Sequence, residues 1–183
     1  EAYYIKAIEA TNNPNYSLVY KNNLAATYID NKDYIKGISL FKSILIDSNL
    51  IKDQNEYARV LDNLTYAQWL SGDKIIEKEF QKSLEIRKQN YDKRGQIASY
   101  THLGEYNSAT NPKRSISYFD SVIQLSRKLK IPRAEADALR FLMKVEPKNL
   151  YIRDRYVFLQ DSLYQQELKV KTQFAKYKYD DKV

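Results

Sequence analysis

The sequence contains no cysteine and only one histidine among its 183 residues. Without cysteine, the chain can form neither a disulfide framework nor a thiolate nucleophile nor a cysteine-ligated zinc or iron–sulfur site. A single histidine, His102, excludes a histidine-rich metal site, and the four glycines are too scattered to build a phosphate-binding loop. These absences predict a chain that is not an enzyme and that binds no cofactor and no metal.

Long apolar runs are also missing, since none exceeds five residues and a helix needs about 20 to span a bilayer. We therefore expect no membrane contact by this chain itself. The net charge is +7, but Lys and Arg mostly alternate with Asp and Glu. The densest basic cluster, at Arg127, Lys128, Lys130 and Arg133, falls where a helix should end, and cations there complement the helix dipole. Nucleic acid is therefore an unlikely partner.

An internal repeat organises the sequence. Leu24, Leu64 and Leu103 stand 40 and 39 residues apart, and each is followed by a polar turn and a second apolar segment. The second segments share one spacing around a phenylalanine, seen in Gly37/Phe41/Ile44, Ile76/Phe80/Ser83 and Ser115/Phe119/Val122. Such units are pairs of antiparallel helices, which stack because one pair cannot bury its apolar face alone.

The starts of two second helices carry local signals. Asp73 follows Gly72 and is predicted to be an N-cap, and Pro112 is predicted to occupy the first turn of its helix. Both signals place a helix directly after a polar turn.

These residues resemble the tetratricopeptide repeat, whose pattern is Trp-x2-Leu-Gly-x2-Tyr followed by Ala-x3-Phe-x2-Ala. Leu103-Gly104 and the second-helix spacings match it, whereas the period is about 40 rather than 34 and the Trp is replaced. The resemblance implies an all-α fold, a right-handed tetratricopeptide-like superhelix of antiparallel helix pairs. It predicts one solenoid fragment over 1–183, with a half repeat at 1–13, repeats at 16–52, 53–93 and 94–131, a degenerate repeat at 132–163 and an extended helix at 164–183.

From Leu150 onward the chain has no Gly or Pro. Leu163, Val170 and Tyr177 recur every seven residues, and Phe174 lies beside them, so a narrow apolar stripe is predicted on one long helix. Two interpretations stay open for 164–183. The helix is either a coiled-coil-like connection, with a homodimer formed through it, or a cap that packs back on the fourth pair.

The run 156–180 also resembles the end of the repeat region in sensor proteins of Bacteroidetes-type bacteria, which carry a histidine-kinase or helix-turn-helix output. This resemblance implies a non-catalytic, protein- or peptide-binding sensory domain of a larger membrane-anchored protein, typically of a two-component system, on the periplasmic side. The alternatives are a soluble scaffold or peptide-responsive regulator in the cytoplasm and, more weakly, a nucleic-acid-binding regulator.

In stacked helix pairs the first helix of each repeat lines the groove. The inward positions predicted to bind a protein or peptide are Asn22, Asn23, Asp62, Asn63, Tyr66, Trp69, Thr101, His102 and Glu105. Asn side chains can bond an extended peptide backbone as donor and acceptor, and Tyr and Trp supply apolar area with a polar group. For Trp69 the alternative is packing between repeats, and for His102 it is a solvated or satisfied side chain without a ligand.

Overall fold

A computed structural model of the chain describes residues 1–73 and 76–180, with side chains described as far as residue 175. These residues form nine α-helices and a short 3-10 helix at Leu50–Lys52, and no strand occurs among them. The predicted all-α class is confirmed. The helices are α1 Ala2–Ala10, α2 Pro14–Asp30, α3 Tyr34–Leu45, α4 Gln54–Leu70, α5 Glu77–Gln89, α6 Lys93–Asn107, α7 Pro112–Leu129, α8 Pro132–Val145 and α9 Leu150–Asp180.

Side-chain caps and prolines start several of these helices. The prediction for Pro112 is confirmed, because it is the first residue of α7 and the side chain of Asn111 caps that helix. The prediction for Asp73 is wrong, because α5 begins only at Glu77. The N-cap position of α5 is Ile76, which is buried in the core and has a non-helical φ of −131°.

The helices form a linear array in which each one packs against its neighbours in sequence. Most connections are two to four residues long, so consecutive helices run antiparallel. The even-numbered helices also contact each other directly, α2 with α4, α4 with α6 and α6 with α8. In the described parts of the chain α3, α5 and α7 make no comparable contact with one another. The closer spacing of the even-numbered helices places them on the inner side of the array.

Both repeated apolar positions are buried. They are the leucine of α2, α4 and α6 and the phenylalanine of the helix that follows each, namely Leu24, Leu64, Leu103, Phe41, Phe80 and Phe119. Full burial of one such side chain stabilises a fold by about 1.5–3 kcal/mol. A Cβ at Gly104 would lie 2.8 Å from ring carbons of Phe119, so the bare glycine lets α6 and α7 approach closely.

Helix α9 runs without a break through the predicted boundary between 163 and 164. Its first half packs on α8 through the buried Ile152 and Leu159, with Leu163 partly buried beside them. From residue 164 to 175 every side chain is exposed, including Val170 at 61% and Phe174 at 75%. The end of the predicted stripe, at Tyr177, lies outside the described side chains. No helix in the described ranges combines the length and apolarity that crossing a membrane requires.

Candidate ligand-binding face

Between α2 and α4 the predicted groove residues Asn22, Asn23 and Asn63 form hydrogen bonds across the two helices. Asn63 Nδ2 donates to Asn22 Oδ1 at 3.1 Å, and Arg59 Nη2 donates to Asn23 Oδ1 at 2.6 Å. Arg59 also forms an ion pair with Glu56 at 3.1 Å. Asn22 is only 1% exposed, and its Nδ2 has no hydrogen-bond partner among the described residues. The prediction that Asn22 faces the groove is therefore wrong, because its side chain is turned into the helix interface.

Asp62 on α4 is the centre of a buried polar cluster. It is fully buried, and it accepts hydrogen bonds from Ser83 at 2.9 Å, Ser99 at 3.3 Å, Arg87 Nη1 at 3.1 Å and His102 Nδ1 at 2.9 Å. The donors come from α5 and α6, so one carboxylate joins three helices. The prediction that Asp62 lines the groove is wrong, because a carboxylate with this set of donors is stable in the interior. We call these five residues the Asp62 cluster.

Arg87 is the cationic partner in the Asp62 cluster and is itself buried. Its Nη1 also donates to the carbonyl of Gly95 at 2.6 Å and to Ser99 at 2.8 Å. Burial raises the pKa of Asp62, but the charge and hydrogen bond of His102 and the charge of Arg87 together hold that pKa below its usual range. The cluster therefore contains an ionised, compensated pair in the protein interior.

The serines of this cluster do not form a hydrolytic arrangement with His102. Ser83 and Ser99 donate to Asp62, and both side chains are fully buried. A catalytic serine must be bonded to the imidazole and accessible to a substrate carbonyl. His102 is the only member of the cluster that reaches the surface, with 17% of its side chain exposed.

His102 leads from the cluster to the inner face. Its ring stacks on Tyr66 with ring centroids 4.1 Å apart, and Tyr66 Oη donates to Glu105 Oε2 at 3.2 Å. Burial raises the pKa of Glu105, and burial together with the neighbouring Glu105 raises the pKa of Tyr66. Trp69 is partly buried between α4 and α6, with its ring 5.6 Å from Tyr66 and 6.1 Å from Tyr106. It therefore packs between repeats, as one of the two interpretations expected.

The hydroxyl of Thr101 donates to the Ile97 carbonyl of its own helix at 2.9 Å. The predicted site residues thus fall into two groups. Two are buried in helix interfaces, and seven are partly exposed on α2, α4 and α6, namely Asn23, Asn63, Tyr66, Trp69, Thr101, His102 and Glu105.

A small hollow of about 70 Å³ opens on the inner side between α2 and α4. Its floor is apolar and its rim carries a carboxylate, an amide and a phenol; the lining residues are Ala26, Ile29, Asp30, Phe41, Asn63 and Tyr66. Asn63 uses its Nδ2 on Asn22, and its carbonyl oxygen accepts no bond from the described residues. That oxygen is therefore available to a donor placed at the rim.

The sequence did not predict that Ser83, Arg87 and Ser99 bond to Asp62. One signal was present in α5, where Phe80, Ser83, Leu84 and Arg87 follow a helical spacing and lie on its buried face. An arginine at the core period of a helix indicates a buried anion, but the sequence does not indicate which carboxylate supplies it.

Two of the four cations of the predicted basic cluster, Arg127 and Arg133, are in ion pairs. Arg127 and Arg155 bond to the buried Glu135, at 2.8 and 3.0 Å, and Arg133 pairs with Glu167 at 2.7 Å. Hydrogen bonds from both arginines hold the pKa of Glu135 below its usual range against the opposing effect of burial. Among the residues described, no group of acidic or histidine side chains is placed to hold a metal ion.

The overall fold is similar to that of a solved protein. The crystal structure of BtubC (BKLC) from P. vanneervenii superposes with a TM-score of 0.64, and the match covers 93% of this chain and 72% of that one. The two sequences are 14% identical, so the likeness concerns the fold alone. No protein-family model matches the chain. No curated protein matches it either.

Proposed function

We propose that the array is a right-handed tetratricopeptide-type superhelix and that its inner face binds an extended segment of a protein or peptide. The repeat of 39 to 40 residues, buried at its leucine and phenylalanine positions, supports the first part. The second part rests on one observation. The inner side of α4 and α6 presents partly exposed amide, carboxylate, imidazole and aromatic groups next to the hollow between α2 and α4.

The contacts on this face suit a peptide. The carbonyl oxygen of Asn63 can accept a backbone N–H of the ligand, because the Nδ2 group is already held by Asn22. Tyr66 is fixed by its stack on His102 and its bond to Glu105, so its ring offers a rigid apolar surface at small entropic cost. A ligand therefore meets a preorganised surface at α4.

The test is selection of peptides of about twelve residues from a randomised phage-displayed library on the immobilised chain, a length that spans the four inner helices. We expect the selected peptides to change the emission of Trp69, the only tryptophan. Tyr66→Phe keeps the ring and should retain most binding, whereas Tyr66→Ala and Asn63→Ala should weaken it about five-fold or more. Tyr3→Ala on α1, which truncates an exposed tyrosine outside the inner face, is the control. The proposal fails if no peptide is selected or if all variants bind alike.

The exposed end of α9 supports a role in signalling. Its apolar stripe packs on α8 and then continues uncovered through Val170 and Phe174. We propose that α9 passes a change at the inner face to a further part of a membrane-anchored two-component protein, with this chain on the periplasmic side, and that a homodimer forms through α9. The alternative is a soluble scaffold or a peptide-responsive regulator in the cytoplasm.

These two alternatives are separated by the coding sequence around the chain and by the oligomeric state. A secretion signal before Glu1 and a membrane span after Val183 support the sensor, and their absence from the full coding sequence supports the soluble regulator. A Val170→Gln/Phe174→Gln variant should reduce self-association in sedimentation equilibrium. Equal association of variant and wild type rules out a dimer through this stripe.

Nucleic-acid binding is the weaker alternative. Its basic ridge consists of Arg114, Arg127, Lys128, Lys130 and Arg133. Three of these five cations are already held in ion pairs with glutamates of the chain. Affinity for duplex DNA that falls steeply with salt concentration is the result that favours this alternative.

A further inference from the structure

One line of equivalent positions crosses the inner face. Ala26, Tyr66, Glu105 and Lys144 lie on α2, α4, α6 and α8 and are spaced 40, 39 and 39 residues apart. Ala26 and Tyr66 line the same hollow, and Tyr66 bonds to Glu105. Lys144 acts electrostatically on Glu105. The four positions are therefore neighbours in space as well as equivalents in sequence, and their charge changes sign along the line.

The end of this line at α2 and α4 is acidic. Asp30, exposed at the rim of the hollow, lies one helical turn after Ala26, and its negative charge acts on Tyr66. Asp30 forms no ion pair among the described residues. The cation on the inner side of α4, Arg59, is neutralised by Glu56. An uncompensated carboxylate therefore stands beside an apolar hollow.

The opposite end, at α8, is basic. Arg140 and Lys144 are exposed one turn apart, and their positive charges lower the pKa of Glu105 against the larger effect of burial. Both cations lie over the ring of Phe141, at 5.0 and 5.4 Å from its centroid. The carboxylate of Asp137 is 3.6 Å from Arg140, with both side chains about half exposed, so it compensates that charge weakly. Lys144 has no ion-pair partner in the described residues.

The hollow suits the end of a lysine side chain. Its volume of about 70 Å³ is less than half that of the cavity of about 150 Å³ that holds benzene, so it admits only the last few atoms of a side chain. Ala26, Ile29 and Phe41 line the hollow with apolar atoms that suit the stem. The carboxylate of Asp30 and the free oxygen of Asn63 meet the ammonium group at the rim, since a lysine buries its stem and keeps its charge at the surface.

We infer that the ligand of the inner face is an extended peptide whose charges complement the two ends of this line. A lysine lies in the hollow between α2 and α4, and an acidic residue lies at Arg140 and Lys144. This inference rests on the proposed function, which it makes specific. Neighbouring helices are about 8–10 Å apart, so the two ends are separated by about 20–25 Å. At about 3.3 Å per extended residue, the lysine and the acidic residue lie about six or seven positions apart.

The test uses synthetic peptides of about twelve residues in a Gly/Ser background, with binding followed by Trp69 emission. One carries Lys and Asp about six positions apart; in the others Lys is replaced by norleucine, Asp by Asn, or the two charges are adjacent. We expect each neutralised charge to weaken binding about three-fold, the scale of a partly exposed ion pair. Adjacent charges should weaken binding by a similar factor, because the peptide can then place a charge at only one end of the inner face.

Double-mutant cycles assign each charge to its partner. Asp30→Asn should remove the preference for Lys over norleucine and leave the preference for Asp over Asn intact, whereas Lys144→Gln should do the reverse. Asp161→Asn and Lys169→Gln, on the exposed surface of α9, are matched controls that should alter neither preference. Loss of both preferences in either single variant contradicts the assignment.

The outcomes separate this inference from the proposed function. If library-selected peptides need Tyr66 and Asn63 but carry no lysine–acid pair, the inner face binds peptides and the charge polarity is wrong. If the Lys and norleucine peptides bind equally to wild type, the hollow is not a lysine site. If neither the synthetic peptides nor the library yields binding, both proposals are overturned.

Discussion

The buried pair of Asp62 and Arg87 gives the largest single effect that we expect on stability. Replacing Arg87 with methionine keeps much of the side-chain volume and removes the charge. It deletes the bonds from Nη1 to Asp62, Ser99 and the Gly95 carbonyl. Asp62 then stays in the interior with Ser83, Ser99 and His102 as its remaining donors.

The magnitude follows from the burial of both partners. Side-chain exposure is 3% for Arg87 and 0% for Asp62, so solvent cannot replace the lost cation. Removing one partner of such a pair costs about 3–5 kcal/mol, a large share of the 5–15 kcal/mol that stabilises a typical domain. For a chain of this length each kcal/mol lowers Tm by about 2–4 °C, so we expect a fall of about 6–20 °C.

Urea unfolding followed by circular dichroism and by Trp69 emission measures the effect. The midpoint should fall with an unchanged m-value, because the surface exposed on unfolding stays the same. Arg94→Met, at an exposed arginine of α6, is the matched control and should change the free energy of unfolding by less than about 0.5 kcal/mol. Asp62→Asn together with Arg87→Met should recover part of the loss, since no unpaired charge remains buried. A loss below about 1 kcal/mol for Arg87→Met refutes the reasoning.

Three further predictions concern single side chains. Gly104→Ala should destabilise the chain by about 1–2 kcal/mol in urea unfolding, because its Cβ meets the buried Phe119 ring and the overpacking exceeds the gain in helix propensity. Folding lowers the pKa of Asp62, so the ionised carboxylate stabilises the fold above the ordinary pKa of 3.8. This stabilisation is lost as the pH falls through the pKa of the folded state, and acid unfolding of Asp62→Asn should lack this component. The pKa of Glu105 is raised by folding, so its ionisation weakens the fold as the pH rises above about 4.5, and Glu105→Gln should unfold at higher urea concentration than wild type at pH 7.

The repeated core was predictable because it is a local pattern. A leucine in the first helix and a phenylalanine 16 or 17 residues later recur at a fixed period, and every one of these side chains is buried. The fourth pair could have been aligned in the same way, since Leu142 stands 39 residues after Leu103 and is buried. That alignment identifies Lys144 as an inner position. The position was not predicted, because the fourth pair departs from the repeat pattern.

The buried polar contacts were not predictable from the same pattern. Asp62 and Asn22 occupy equivalent positions, and both bond to a residue about 40 positions later on the next even-numbered helix. Such contacts depend on how far one helix is turned relative to the next, and periodicity within a helix does not specify that rotation. The sequence therefore predicted the correct helices for these side chains and the wrong exposure.

The contact between α2 and α4 and the contact between α4 and α6 differ in the strength of their polar bonds. Between α4 and α6 the carboxylate of Asp62 is bonded by a histidine, two serines and an arginine from two helices. Between α2 and α4 there are two bonds, a neutral one from Asn63 to Asn22 beside the hollow and one from the partly exposed Arg59 to Asn23. Charged hydrogen bonds are about twice as strong as neutral ones, and they are harder to break when buried. Under the proposed function, we therefore expect a ligand that fills the hollow to shift α2 against α4 more readily than α4 against α6.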